Sequence, residues 1–136
     1  MKAKKVILDT NLWISYLITK DYPLIDQLID NEKIRLIFST ELLEEFIEVA
    51  NRPKLKKHFK KQDLLDLLET IDTVGKVVEV KSDVKICRDK KDNFLLNLAI
   101  DSRADFLITG DADLLVLKEI KTTKIISITQ LPEFLH

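Results

Sequence analysis

The sequence predicts an α/β fold, with a mainly parallel sheet of about five strands and helices on both faces. Three observations predict it. Short apolar runs alternate along the chain with longer segments whose apolar residues recur at helical spacing. Only two glycines and three prolines occur in 136 residues, so no linker is visible and residues 1–136 read as a single domain. Two of the apolar runs end on acidic or hydroxyl residues, Asp9-Thr10 and Thr109-Gly110-Asp111. Strands of a parallel sheet end in this way where their carboxyl ends open on a crevice.

Taken in order, Lys4–Leu8 is the first strand, and Asn11–Thr19 is a helix with Leu12, Trp13, Tyr16 and Leu17 on one side. After the Asp21-Tyr22-Pro23 break a second helix covers Leu24–Asp30, with Pro23 suited to its first turn. Ile34–Phe38 is a strand, and Ser39 is placed to cap helix Thr40–Asn51. That helix carries Leu42, Leu43, Phe46, Ile47 and Ala50 as its apolar stripe, and Pro53 lies just beyond it. Asp63–Ile71 repeats the pattern through Leu64, Leu65, Leu67, Leu68 and Ile71, and Gly75 marks its exit. Val77–Val80 is a strand, Asn93–Ser102 a helix, Phe106–Ile108 a strand and Lys124–Ile128 another, with a last short helix after Thr129.

Composition excludes several classes. Apolar residues at 46% and charged residues at 33% fit a folded globular chain and exclude disorder. With 22 basic and 23 acidic side chains the net charge is −1, so the placement of charge carries more information than its sum. No apolar run approaches membrane-spanning length and no signal peptide is visible, so a cytoplasmic protein without membrane association is expected. Cys87 is the single cysteine. It has no partner for an internal disulfide and no neighbouring base, and reads as packing.

The acidic residues carry the chemistry. Asp9 closes Val6-Ile7-Leu8, Asp92 precedes the helical run from Asn93, and Asp111 follows Thr109-Gly110, with Gly110 permitting a sharp turn. Glu45 lies on the helix after the second strand. Gathered in one crevice, such carboxylates repel by roughly 4 kcal/mol per pair at 4 Å and an effective dielectric of 20. A divalent cation removes that cost. Thr10, Asn11 and Thr109 add small oxygen-bearing groups suited to a hard ion and its water shell. Any one of these acids alone is also explained as a helix cap, and Asp92 gains from the helix dipole without a metal. Asp113 has two readings, as a ligand through water or as a turn cap. Among Glu44, Glu45 and Glu48, helical periodicity sets Glu48 outward and leaves Glu44 and Glu45 on opposite borders of the stripe.

In order and spacing, four segments resemble the PIN-domain ribonucleases, and among them the VapC-like toxins of toxin–antitoxin pairs. They are Val6 to Asn11, Ser39 to Val49 with Arg52-Pro53, Asp89 to Ala99, and Ala104 to Leu115. The resemblance covers the chain from Val6 to about Leu135. It implies a PIN-like three-layer sandwich with the first strand beside the strand ending at Thr109. It implies cleavage of RNA by one or two Mg²⁺ or Mn²⁺ ions held by Asp9, Asp92 and Asp111, with Glu45 and Asp113 acting through waters and Thr10, Asn11 and Thr109 orienting them. The family spacing favours Glu45 over Glu44. An antitoxin partner and a homodimer are implied by the resemblance alone.

Basic residues cluster in Arg52, Lys54, Lys56, Lys57, Lys60 and Lys61, a strip with His58 and no acid, suited to RNA phosphates or to a solvated loop. Phe59 within it is read as an anchor to the core, and Trp13 as packing. Lys85, Arg88, Lys90 and Lys91 lead into Asp92 and are placed to guide a nucleic-acid backbone. Neither His58 nor His136 has metal-ligand spacing. Two rivals stand beside the nuclease. A haloacid-dehalogenase-type phosphatase would need a second Asp where Asn11 stands. A non-catalytic PIN-fold module binding RNA or protein would have no physical need for mutually repelling acids.

Overall fold

The computed structural model describes residues 3–19, 33–58 and 60–134. The expected helix Leu24–Asp30, together with Phe59 and His136, lies outside the described residues. The elements are β1 (Lys4–Leu8), α1 (Thr10–Thr19), β2 (Ile34–Phe38), α2 (Thr40–Ala50), α3 (Pro53–Lys56), α4 (Lys61–Val74) and β3 (Gly75–Val77). They continue with α5 (Lys90–Ser102), β4 (Phe106–Ile108), α6 (Ala112–Leu115), β5 (Glu119–Ile120), β6 (Thr123–Ile126), a 3₁₀ turn (Ile128–Gln130) and α7 (Leu131–Phe134).

The described strands form one sheet in the order β3-β2-β1-β4-β6-β5. All neighbours are parallel except β5 and β6. Val6, Ile7 and Leu8 of β1 are all buried, as are Leu36, Ile37 and Phe38 of β2 and the whole of β4. Successive strand residues point to opposite faces, so burial of consecutive residues means that both faces are covered. Parallel crossovers are right-handed. The helices after β1 and β2, where the chain steps one way across the sheet, therefore cover one face. α5, which carries the chain back from β3 to β4, covers the other. Accordingly α1 packs on α2 and α4, and α5 on β4 and β5.

The order reverses at the β1–β4 pair, with Leu8 opposite Ile108. This is the topological switch point expected to bring Asp9 and Asp111 together. Two contacts hold the register from the far end. The Asp105 carboxylate accepts from the Lys5 amide at 2.8 Å, and the fully buried Thr123 hydroxyl donates to the Ala104 carbonyl at 2.6 Å.

Several boundaries differ from expectation. β3 is Gly75–Val77, not Val77–Val80, so Gly75 opens a strand rather than merely ending a helix. The Val78 amide makes one more bond, to the Phe38 carbonyl, and the chain then leaves the sheet. β6 runs over Thr123–Ile126, because the Ser127 amide turns to the Gln130 side chain at 2.9 Å and starts the 3₁₀ turn. β5 is a sixth strand with no apolar alternation, made by a tight turn with Lys121 at φ 52°. The short helices α3 and α6 carry too few turns for a periodic pattern to register.

Ser39 caps α2 as expected, its hydroxyl accepting from the Leu42 amide at 3.0 Å. The buried stripe of α2 is Leu42, Phe46, Val49 and Ala50, with Val49 in place of Ile47. This rotation leaves Glu45 on the border of the stripe and Glu44 and Glu48 exposed beyond it. Trp13 is buried between Phe38 and Phe46, with ring centroids 5.3 and 6.4 Å away. It ties α1, β2 and α2 into one core, as its reading as packing requires. Replacing Trp13 with Ala is expected to cost about 3–5 kcal/mol of stability, measured by urea unfolding.

Candidate metal centre

At the carboxyl end of β1, Asp9 is nearly buried. Its carbonyl accepts the Leu12 and Trp13 amides that start α1, and one carboxylate oxygen takes the Asn11 amide at 3.2 Å. The other accepts from the Thr109 hydroxyl at 2.8 Å. That hydroxyl oxygen in turn accepts the Asp111 amide at 3.0 Å. Thr109 thus links the exits of the two central strands. Thr10 is buried beside Asp9, and Asn11 is exposed.

Asp111 caps the short helix α6, its carboxylate accepting the Asp113 amide at 2.9 Å. The turn cap is therefore Asp111, and the Asp113 carboxylate is left for other contacts. Gly110 has no left-handed backbone and a Cβ there would meet nothing within 4 Å. The expected conformational need for glycine at this turn is not met.

Asp92 reaches the same place from α5. The helix starts at Lys90, earlier than expected, because Asp89 is its cap and accepts the Lys91 amide at 2.9 Å. Asp92 sits in the first turn and is only 6% exposed. One carboxylate oxygen from each of Asp92, Asp111 and Asp113 lies within 4.8 Å of the others. An all-oxygen set at this spacing fits a hard divalent cation such as Mg²⁺ or Mn²⁺. Asp9 is outside this trio, but its charge acts on Asp92.

The electrostatics match the geometry. Burial pushes the Asp92 carboxyl up to about 6, and the charges of Asp111 and Asp89, a hydrogen bond shared with Asp111 and the charge of Asp9 push the same way. Cys87 lies in the same field. Burial, followed by Asp92, Asp113, Asp111 and Asp89, raises its thiol above the ordinary range, which keeps it protonated and poorly nucleophilic.

Cations rim the acids. Lys91 Nζ lies 3.3 Å from Glu45 Oε1, which brings the half-buried Glu45 to the α5 side of the site. Arg88 Nη2 lies 3.7 Å from Asp113 Oδ2. Glu48 instead pairs with Arg52 at 3.5 Å, and Lys85 with Asp83 at 3.7 Å. In the basic strip Arg52, Lys54, Lys56, Lys57, His58, Lys60 and Lys61 are all exposed.

Residues 93, 97 and 101 of α5 form a feature that sequence reasoning missed. The Asn93 amide group pairs with both backbone groups of Cys87, at 2.7 and 2.8 Å. Asn97 does the same at Val84, at 2.7 and 3.4 Å. Asp101 accepts the Ser82 amide at 2.8 Å along with the Ser82 hydroxyl and the Lys81 amide, which lowers its own pKa. The three stand four apart on one helix face. Polar residues at i, i+4, i+8 on a largely buried helix were the available signal. This ladder holds the extended segment after β3 and delivers the chain to Arg88 and Asp89.

Residues 5–113 match the PIN domain, a stretch that contains every acid named above. The chain belongs to the PIN-domain family. It is also 36% identical over 119 residues to an uncharacterised protein of Methanocaldococcus jannaschii, covering 85% of this chain and 76% of that one. A solved structure, VapBC2 from Rickettsia felis bound to a DNA fragment from their promoter, contains a chain of the same fold. The match has a TM-score of 0.56 at 18% identity, over 89% of this chain and 96% of that one. Among the described residues no helix is long and apolar enough to cross a membrane.

Because the folded PIN domain raises Asp92 above an unfolded value near 3.9, the native state binds more protons between about pH 4 and pH 6. Stability of the metal-free protein is therefore expected to be highest below pH 4 for this group and to fall as pH rises towards 6. The size is of order 3 kcal/mol. Asp92→Asn should remove this slope in urea titrations carried out with EDTA.

Proposed function

We propose that the chain is a metal-dependent endoribonuclease, hydrolysing RNA phosphodiester bonds as the toxin of a toxin–antitoxin pair. The observation that carries this reading is the trio Asp92, Asp111 and Asp113 within 4.8 Å, beside Asp9 at the switch point of a PIN domain. In this reading Asp9, Asp92, Asp111 and Asp113 would hold one or two Mg²⁺ or Mn²⁺ ions, and Glu45 would act through water. Thr109 keeps the Asp9 carboxylate aimed, and Thr10 and Asn11 complete the polar wall. When bound, the ion polarises the phosphoryl oxygen and lowers the pKa of the attacking water. The side chains bind, orient and supply charge, and none is needed as a covalent nucleophile. A cytoplasmic protein, a cognate antitoxin and a homodimer go with the toxin reading. Support for an antitoxin is the shared fold with a chain of the Rickettsia felis VapBC2 assembly. A non-catalytic binding module has less support, since burying Asp92 among like charges serves no scaffold.

The test is cleavage of total RNA by purified protein with EDTA, Mg²⁺ or Mn²⁺, with the new ends mapped. Asp9→Asn is nearly isosteric and is expected to lower the rate at least about a hundredfold, the scale of losing a preorganised charged group. Circular dichroism should show the fold retained. Cleavage at the wild-type rate by this variant would remove Asp9 from the site. Cleavage in EDTA by wild-type protein would remove the metal.

For the basic strip, replacing Lys56, Lys57, Lys60 and Lys61 together with Ala should weaken RNA binding and flatten its salt dependence, since fewer counterions are released. Metal affinity should stay the same. An unchanged slope of log affinity against log salt would return the strip to a solvated loop.

A further inference from the structure

Two of the basic residues placed by the sequence to guide a nucleic-acid backbone toward Asp92 are tied to the acids of the site. Arg88 and Lys91 lie on either side of the carboxylates, Arg88 against Asp113 of α6 and Lys91 against Glu45 of α2. Both come from one four-residue stretch whose backbone is tied down at each end. Asn93 clamps Cys87 on one side, and the Asp89 cap takes the Lys91 amide on the other. The Arg88 side chain is 92% exposed and that of Lys91 is 61% exposed. Exposed pairs of this kind contribute only about 0–1 kcal/mol, so their partners are exchangeable.

That exchangeability matters at an acidic site whose substrate is an anion. Five carboxylates, Asp9, Glu45, Asp92, Asp111 and Asp113, would repel an approaching phosphate backbone. A divalent ion among Asp92, Asp111 and Asp113 competes with Arg88 for Asp113. It leaves a guanidinium at the rim with its donors turned to solvent. A guanidinium fork matches phosphate oxygens in pairs, and an ammonium serves as a point charge. We propose that Arg88 and Lys91 are phosphate-contacting residues. In the metal-free protein Arg88 is drawn to Asp113 and Lys91 to Glu45; when the ion takes Asp113, Arg88 turns to the phosphates flanking the scissile bond, with Lys91 beside it as a standing contact. This rests on the nuclease reading and adds to it a specific coupling: metal binding switches on backbone binding. Asn93 acts as the positioning residue, since it fixes the peptide next to Arg88.

The experiment compares wild type with Arg88→Gln, Lys91→Gln, Arg88→Lys and a control, Lys33→Gln. Lys33 precedes β2, at the end of the sheet away from the acids. Affinity for a 2′-O-methyl RNA dodecamer is read by fluorescence anisotropy in EDTA and in Mn²⁺. Mn²⁺ affinity is read separately by electron paramagnetic resonance, and cleavage of unmodified RNA gives kcat and KM. Wild type is expected to bind the dodecamer about tenfold more tightly with Mn²⁺, equal to about 1.4 kcal/mol. Arg88→Gln should lose most of that gain, and Lys91→Gln should weaken binding both in EDTA and in Mn²⁺. Their KM should rise with kcat little changed, as for contacts made equally in the ground and transition states. Mn²⁺ affinity should stay the same or tighten, because a competing cation is gone. Arg88→Lys should keep part of the gain, and Lys33→Gln all of it.

Unchanged dodecamer affinity and KM in both Gln variants, with wild type active, would overturn the clamp and leave the nuclease standing. Weakened Mn²⁺ binding in step with lost activity would also overturn it, by making the cations part of the metal site. Absence of any cleavage by wild type overturns the nuclease reading and the clamp with it.

Discussion

One hydroxyl oxygen, Thr109 Oγ1, holds the two central strand ends together. It donates to Asp9 and accepts from the Asp111 amide, across 100 residues of sequence. The parallel register of β1 and β4 places the exits side by side, and this contact fixes which way the carboxylate of Asp9 is turned. The rest of the site depends on it. Without the β1–β4 pairing, Asp9 and Asp111 would lie on separate loops, and of the charges that raise the proton affinity of Asp92 those of Asp111 and Asp9 would be lost, leaving that of Asp89. The repulsion among these groups works against the fold, and the apolar strands beneath them hold it in place. Val6 to Leu8 and Phe106 to Ile108 are buried on both faces, so the sheet cannot spread to relieve the acids.

Much of this was legible in the residues because it is local. Apolar runs of three to five residues ending in Asp or Thr, and Ser39 before an amphipathic helix, are signals carried within a few positions. Strand boundaries at β3 and β6 were less legible, since what ends them is a competing bond from outside the strand. Val78 is the last residue to find the sheet, and Ser127 is claimed by Gln130. The choice between Glu44 and Glu45 could not be made from periodicity because it turned on whether Ile47 or Val49 faces the core. Both are β-branched and apolar, Ile47 the more so, yet Val49 is buried and Ile47 is 38% exposed.

Mutual repulsion among the gathered acids was legible from where they stand in the sequence, but the burial of Asp92 was not. Its position on a helix explained a dipole effect, whereas burial is the largest influence on its carboxyl, ahead of the charges arriving from β1 and α6. Asp89 shows the opposite case. Its own helix start occupies it as a cap. Two aspartates three residues apart thus divide the work, one closing the helix and the other facing the crevice.

The ladder from α5 sets a rule for the segment it holds. Four helical residues rise about 6 Å, close to the span of two extended residues. The rungs at Ser82 and Val84 therefore meet Asp101 and Asn97 in step, while the three residues from Val84 to Cys87 must bend to meet Asn93. Most of these bonds read only peptide groups. The exposed side chains at 81, 83, 85 and 86 are thus open to change at little cost, whereas Ser82 with its hydroxyl on Asp101, Val84 against the core, and the number of residues are not. An insertion or deletion there would break a rung or shift Arg88 and Asp89 along the helix. In this protein the loop leading to the site is constrained in length, and in composition only where a side chain turns inward.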